Sequence, residues 1–134
     1  EMRRVTRGPM VLLTFDPSHR PWLTDYLPEL VVLDEAQMPA ISDYQEWLGP
    51  VRVTPVLVPH DCTDGFLYAY WRRPEAYLDP HLRSGSSSFW AIADGQPGLD
   101  KLKRDLETGE WSRRFGALLT LEAYDAGYRL IVTE

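Results

Sequence analysis

Apolar residues fall into two kinds of pattern along this chain, unbroken runs and helical stripes. Met10-Val11-Leu12-Leu13-Thr14-Phe15 is nearly unbroken and is closed by Asp16-Pro17. Such a run predicts a strand buried on both faces, of the kind found inside a parallel sheet. Ahead of it, Met2 and Val5 have the spacing of one helix face, and Gly8 is the residue most often found just past a helix C-terminus. The chain is therefore expected to open in the last turns of a helix, pass the Gly8-Pro9 link and enter a central strand. A second strand is predicted over Val51 to Val58. It carries Pro55, which donates nothing to a ladder, so it belongs at a sheet edge. A third is predicted over Tyr128 to Thr133, reached through Asp125-Ala126-Gly127.

Helical stripes lie between these strands. Ser18 is placed to cap a helix holding Trp22, Leu23, Tyr26 and Leu27, which Pro28 interrupts. Leu30 to Leu33 is apolar but too short to assign. Ser42-Asp43-Tyr44-Gln45 has capping-box spacing ahead of Trp47 and Leu48, and Gly49-Pro50 stops that helix. Asp64 is placed to cap a helix from Gly65 to Arg73 that stacks Phe66 on Tyr70, and Pro74 suits the first position of a short helix through Leu78. Leu99, Leu102 and Leu106 mark an amphipathic helix ended by Gly109. Residues 79–98 have no regular pattern, and a loop of that length inside a domain is either functional or mobile. No repeat and no domain-scale linker is visible, so residues 1–134 are expected to form one domain.

Composition narrows the function classes. With 44% hydrophobic residues the 134-residue chain supports a modest core, and its net charge of -6 offers no electrostatic attraction to nucleic acid or an anionic membrane. Arg3, Arg4 and Arg7 crowd a helix end, where cations suit the macrodipole. Cys62 is the only cysteine, which excludes an intrachain disulfide and favours a cytoplasmic setting. No apolar run approaches the roughly 18 residues that span a bilayer.

The densest group of chemically useful side chains is His60, Asp61, Cys62 and Asp64. Their spacing matches no zinc pattern, so no metal site is assigned. Cys62 and His60 stand two apart on an extended chain and face opposite ways, which disfavours a nucleophile–base pair. Two readings stay open. Asp61 and Asp64 fix a turn and cap a helix while Cys62 packs, or the group contacts substrate with His60 as a proton acceptor. Tyr68, Tyr70, Trp71 and Tyr77 are either core residues or an apolar wall for a small organic ligand. Arg72 and Arg73 either pair with acids such as Glu75 and Asp79 or bind a substrate carboxylate.

Three segments together resemble a known family. They are Glu1-Met2-Arg3-Arg4-Val5-Thr6-Arg7-Gly8-Pro9 with Val11-Leu12-Leu13-Thr14-Phe15-Asp16-Pro17; Pro59-His60-Asp61-Cys62-Thr63-Asp64-Gly65-Phe66 with Tyr70-Trp71-Arg72-Arg73-Pro74-Glu75-Ala76-Tyr77-Leu78; and Tyr124-Asp125-Ala126-Gly127-Tyr128-Arg129-Leu130-Ile131-Val132. The chain resembles the C-terminal half of a class I S-adenosylmethionine-dependent methyltransferase with a methyltransferase type 11-like core. The resemblance implies an α/β fold holding part of a Rossmann-like sheet. Its fifth and sixth strands would flank an antiparallel last strand, with residues 59–98 as the substrate-side loop and lid. It also implies S-adenosylmethionine as the cofactor of the complete enzyme. The family holds that cofactor at a glycine-rich turn, and no G-x-G occurs here, so none is expected on this chain alone.

On that resemblance the chain is expected to be a fragment, inactive in isolation, that acts on a small molecule in the complete enzyme. Asp16, the Pro59–Gly65 loop and Asp125–Gly127 should share one rim of the sheet. The candidate substrate contacts are Asp16, His60, Asp61, Asp64, Tyr70, Trp71, Arg73 and Tyr77, with His60 the candidate base. The expected partner is the N-terminal half, a companion chain, or a second copy joined through an exposed strand edge. The rival readings are a non-catalytic interaction or dimerisation domain and a small aromatic-lined ligand-binding protein.

Overall fold

The computed structural model describes all 134 residues, which form a mixed α/β arrangement. A short helix α1 (Met2–Val5) precedes strand β1 (Val11–Phe15). A 3-10 turn (Trp22–Asp25) and helices α2 (Glu29–Gln37) and α3 (Ile41–Leu48) lead to β2 (Val51–Pro55) and the short β3 (Val58–Pro59). A 3-10 segment (Pro74–Leu78), two one-turn helices α4 (Pro80–Arg83) and α5 (Ser88–Ala91), and the longer α6 (Gln96–Thr108) and α7 (Glu110–Phe115) follow. After a 3-10 segment (Gly116–Thr120), β4 (Ala123–Tyr124) and β5 (Tyr128–Thr133) close the chain.

The main sheet has the order β1-β5-β2, and β5 runs antiparallel to both neighbours. The last strand thus lies between the two earlier ones, and the Pro55 strand is at an edge, as the sequence predicts. A second ladder pairs β3 with β4. Gly127, at φ 105, makes the turn into β5. A side chain there would collide with the Phe15 ring, whose Cε2 is 2.6 Å from the position a Cβ would take.

Several expectations are corrected. β1 is not buried on both faces. Val11 is 60% and Leu13 67% exposed, on the face they share with half-buried Leu130 and Val132 of β5. On the opposite face Thr14 is covered by α3 and its hydroxyl bonds the Tyr44 hydroxyl at 2.8 Å. β1 also has no strand on its outer side. Ser18 caps no helix; its N–H and O–H both donate to the Asp16 carboxylate, and the chain then makes only the 3-10 turn. The unassigned Leu30–Leu33 stretch is the heart of α2. The second strand ends at Pro55, with Val58 in the separate ladder. Residues 65–73 form no helix, only turns over residues 67–72, so Asp64 has none to cap. Residues 79–98 are not a plain loop, since α4 and α5 lie within them.

The largest core sits beyond the sheet. Trp22, Leu23, Tyr26, Leu27 and Leu30 meet Trp71, Tyr77, Leu99, Leu102 and Trp111, and β1 adds Phe15. Trp22 meets Tyr77 and Trp111 edge to face, with ring centroids 5.7 and 5.3 Å apart. No helix of the chain is long and apolar enough to cross a membrane.

Candidate functional site

The C-terminal end of β1 and the N-terminal end of β5 meet because Phe15 and Tyr128 are register partners. Just past them the Asp16 N–H donates to the Gly127 carbonyl at 2.9 Å. Arg129 donates to the Asp125 carboxylate at 2.7 Å and lies 3.9 Å from that of Asp16. Burial alone pushes the Asp125 carboxyl up, but hydrogen bonds from Arg129 and the Gly127 N–H outweigh it and hold the group below its ordinary value. The Pro59–Gly65 loop is tied to the same rim. The His60 N–H donates to the Glu122 carbonyl at 3.0 Å, and Phe66 meets Tyr128 edge to face at 5.5 Å.

Two groups of side chains stand out. The first lines an open cleft of about 440 Å³ formed by His60, Asp61, Arg72 and Arg73. The His60 ring lies 3.3 Å from the Glu122 carboxylate. The Arg73 guanidinium sits 5.0 Å over the Tyr70 ring. Neither arginine pairs with Glu75 or Asp79, as their nearness in sequence suggests. Arg72 donates to the Leu121 carbonyl at 3.1 Å and Arg73 to the Cys62 carbonyl at 2.7 Å.

The second group joins Tyr68, one of the aromatic residues singled out from the sequence, with Asp34, which the sequence reading missed. Tyr68 is 2% exposed, its ring stacks on Phe15 at 5.5 Å, and its hydroxyl has no hydrogen-bond partner. Asp34 lies on the face of α2 that buries Leu30 one turn earlier, and its charge acts on both Tyr68 and Tyr128. Burial pushes the Asp34 carboxyl up to about 6, against the pull of Arg20. Burial, with Asp34 adding to it, raises the Tyr68 hydroxyl well above its ordinary value.

The remaining candidate contacts are distributed as follows. Asp61 lines the cleft, and exposed Asp64 belongs to the same loop. Asp16 is held by Ser18 and Arg129. Trp71 and Tyr77 are each 1% exposed; the Trp71 indole N–H donates to the Val58 carbonyl at 3.0 Å and the Tyr77 hydroxyl to the Leu67 carbonyl at 2.7 Å. Both are committed to the core and present no face to a ligand. No group of three or more His, Cys, Asp or Glu side chains is arranged to hold a metal ion.

No family model matches the sequence, and no curated protein matches it. Among solved structures, a crystal structure from Anabaena variabilis matches 97% of this chain at 40% identity with a TM-score of 0.82. That protein is provisionally named a methyltransferase from an antibiotic biosynthesis pathway. The chain is similar to a methyltransferase. It spans 56% of the length of that methyltransferase, slightly more than half.

S-adenosylmethionine, which methyltransferases of the resembled family use, does not fit the residues present. Close backbone approach to a nucleoside cofactor needs a glycine turn after a strand. Here Asp16-Pro17 follows β1 and Val56-Leu57 follows β2. The glycines with positive φ are Gly49 and Gly109 at helix ends and Gly127 against Phe15. None forms a cradle.

Proposed function

We propose that this chain supplies the substrate-side part of an S-adenosylmethionine-dependent methyltransferase with a Rossmann-like, type 11-like fold, acting on a small molecule. The cofactor is held by a part of the fold outside these 134 residues. One observation carries the reading. Nearly all of the chain matches just over half of a methyltransferase, and β1 has an empty edge and an exposed apolar face. An apolar strand in that state invites a further strand beside it. The residues on the rim bind and orient the acceptor. His60 is the group that accepts its proton, and the wall formed by residues 59–98 excludes water.

The test is reconstitution. The chain is mixed with the part of the Anabaena protein that it does not match, and heats of S-adenosylmethionine binding are measured for each alone and for the mixture. The chain alone is expected to give none, and the mixture is expected to bind at micromolar affinity. Micromolar binding by the chain alone, or no complex and no binding in the mixture, overturns the reading. The free edge of β1 also favours a second reading, a dimerisation domain without catalysis. That reading expects a stable dimer that the added part does not dissociate.

A further inference from the structure

Arg20, Arg113, Arg114 and Arg129 each meet a carboxylate within 4.0 Å. Arg72 and Arg73 line a cleft and form no such pair, although Asp61 lines it with them. Both are nonetheless held in place. One amino group of Arg72 is fixed on the Leu121 carbonyl; one of Arg73 is fixed on Cys62 and, more weakly at 3.4 Å, on Ala69. The Tyr70 ring supports the Arg73 guanidinium from one side. A guanidinium carries five N–H donors in a rigid fork. Each arginine therefore keeps its Nε–H and a second amino group unengaged, and the anchoring has already removed much of the side-chain freedom that binding would otherwise cost. Two adjacent cations held without an ion pair, with one carboxylate between the two of them in the lining, leave a net positive concavity within the size range of small-ligand sites, which favours an anion.

We infer that the His60–Asp61–Arg72–Arg73 cleft binds a carboxylate or phosphate group of the acceptor molecule, with Asp61 accepting from an N–H or O–H beside that anion. That the anion belongs to a methyl acceptor rests on the methyltransferase reading; the anion site itself does not. The acidic chain repels anions at long range, so selectivity comes from the two forks at contact.

The test titrates the chain, with its arginine side chains labelled by ¹⁵N, with inorganic phosphate and separately with benzoate at low salt. Saturable shifts are expected at Nε–H of Arg72 and Arg73 with a Kd on the order of 1 mM for at least one probe. Arg104, exposed on α6, should not respond. Phosphate alone points to a phosphorylated acceptor, and benzoate alone to a carboxylic acid. Arg72→Lys and Arg73→Lys keep the charge but lose the fork, so each should weaken binding about tenfold with an unchanged melting temperature. The proposal is overturned by shifts that do not saturate, by equal shifts at Arg104, or by lysine variants that bind as tightly as the parent. None of these readouts needs the cofactor, so a failed reconstitution leaves the anion site standing and a failed titration removes only the anion.

Discussion

Asp34→Asn is expected to stabilise the protein at pH 8 and to have about a third of that effect at pH 4.5. The folded structure raises the Asp34 carboxyl from its ordinary 3.8 to about 6, chiefly by burial. Between those two values the folded chain binds a proton that the unfolded chain has released, so stability falls as pH rises through this window. Above about 6 both states are ionised, and the full cost of burying the charge remains. A rise of that size corresponds to about 3 kcal/mol. Asp34 is only half-buried, so solvent screening reduces the expected effect to about 1 kcal/mol. Asparagine has nearly the same shape and no charge, and it removes the penalty where the penalty exists. Urea unfolding of both proteins at the two pH values, at fixed ionic strength and at protein concentrations low enough that the midpoint is independent of concentration, measures the difference. A variant less stable than the parent at pH 8, or a gain of the same size at both pH values, would show that the carboxylate is satisfied in the folded state and would refute the reasoning.

Gly98→Ala places a methyl group 2.0 Å from the Tyr26 carbonyl oxygen and 2.8 Å from a Leu27 methyl. Because the first obstacle is backbone, a loss of about 2 kcal/mol or more is expected in thermal melts, and a change below about 0.5 kcal/mol would contradict the contact. Tyr77→Phe removes the buried bond to the Leu67 carbonyl and should cost about 1–3 kcal/mol, read from the urea midpoint. Val11→Lys with Leu13→Lys places charges on the exposed face of β1. In light scattering this double variant should associate less than the parent with unchanged circular dichroism, and equal association would locate the joining surface elsewhere.

What could be read from the sequence depended on whether the cause was local. Pro55 marked an edge strand correctly because its missing N–H is a property of the residue itself, whatever surrounds it. Gly109, at φ 80, ends α6 for an equally local reason. The burial of β1 was misjudged because an unbroken apolar run implies burial only when neighbours are present on both faces. The helix expected over Gly65–Arg73 fails for a tertiary reason. Leu67, Tyr68, Ala69 and Trp71 are all buried, and three consecutive buried positions do not fit the single apolar stripe of a surface helix. Tyr68 was legible as one of an aromatic group and is in the core, whereas Asp34 carried no signal in the sequence, since it matters only through its long-range burial. The nearest acids in sequence misdirected the expected pairing of Arg72 and Arg73, whose carbonyl partners include Leu121, far along the chain.

The distribution of core residues bears on what the empty edge of β1 means. If the three-stranded sheet were the main source of stability, loss of a neighbouring strand would leave little to hold the fold. Instead the main core joins Trp22, Trp71, Tyr77 and Trp111 beyond the sheet, and the three strands add to it only Phe15 and the half-buried Tyr128. Trp22 and Trp71 are also tied to each other's surroundings, the indole N–H of Trp22 donating to the Trp71 carbonyl at 2.9 Å and that of Trp71 to Val58. The wall that carries Arg72, Arg73 and His60 is therefore built on an aromatic core made of this chain's own residues. A joining part laid against β1 would complete the sheet without rebuilding the cleft. This is why anion binding by the chain alone and cofactor binding by the reconstituted pair are expected to be separable.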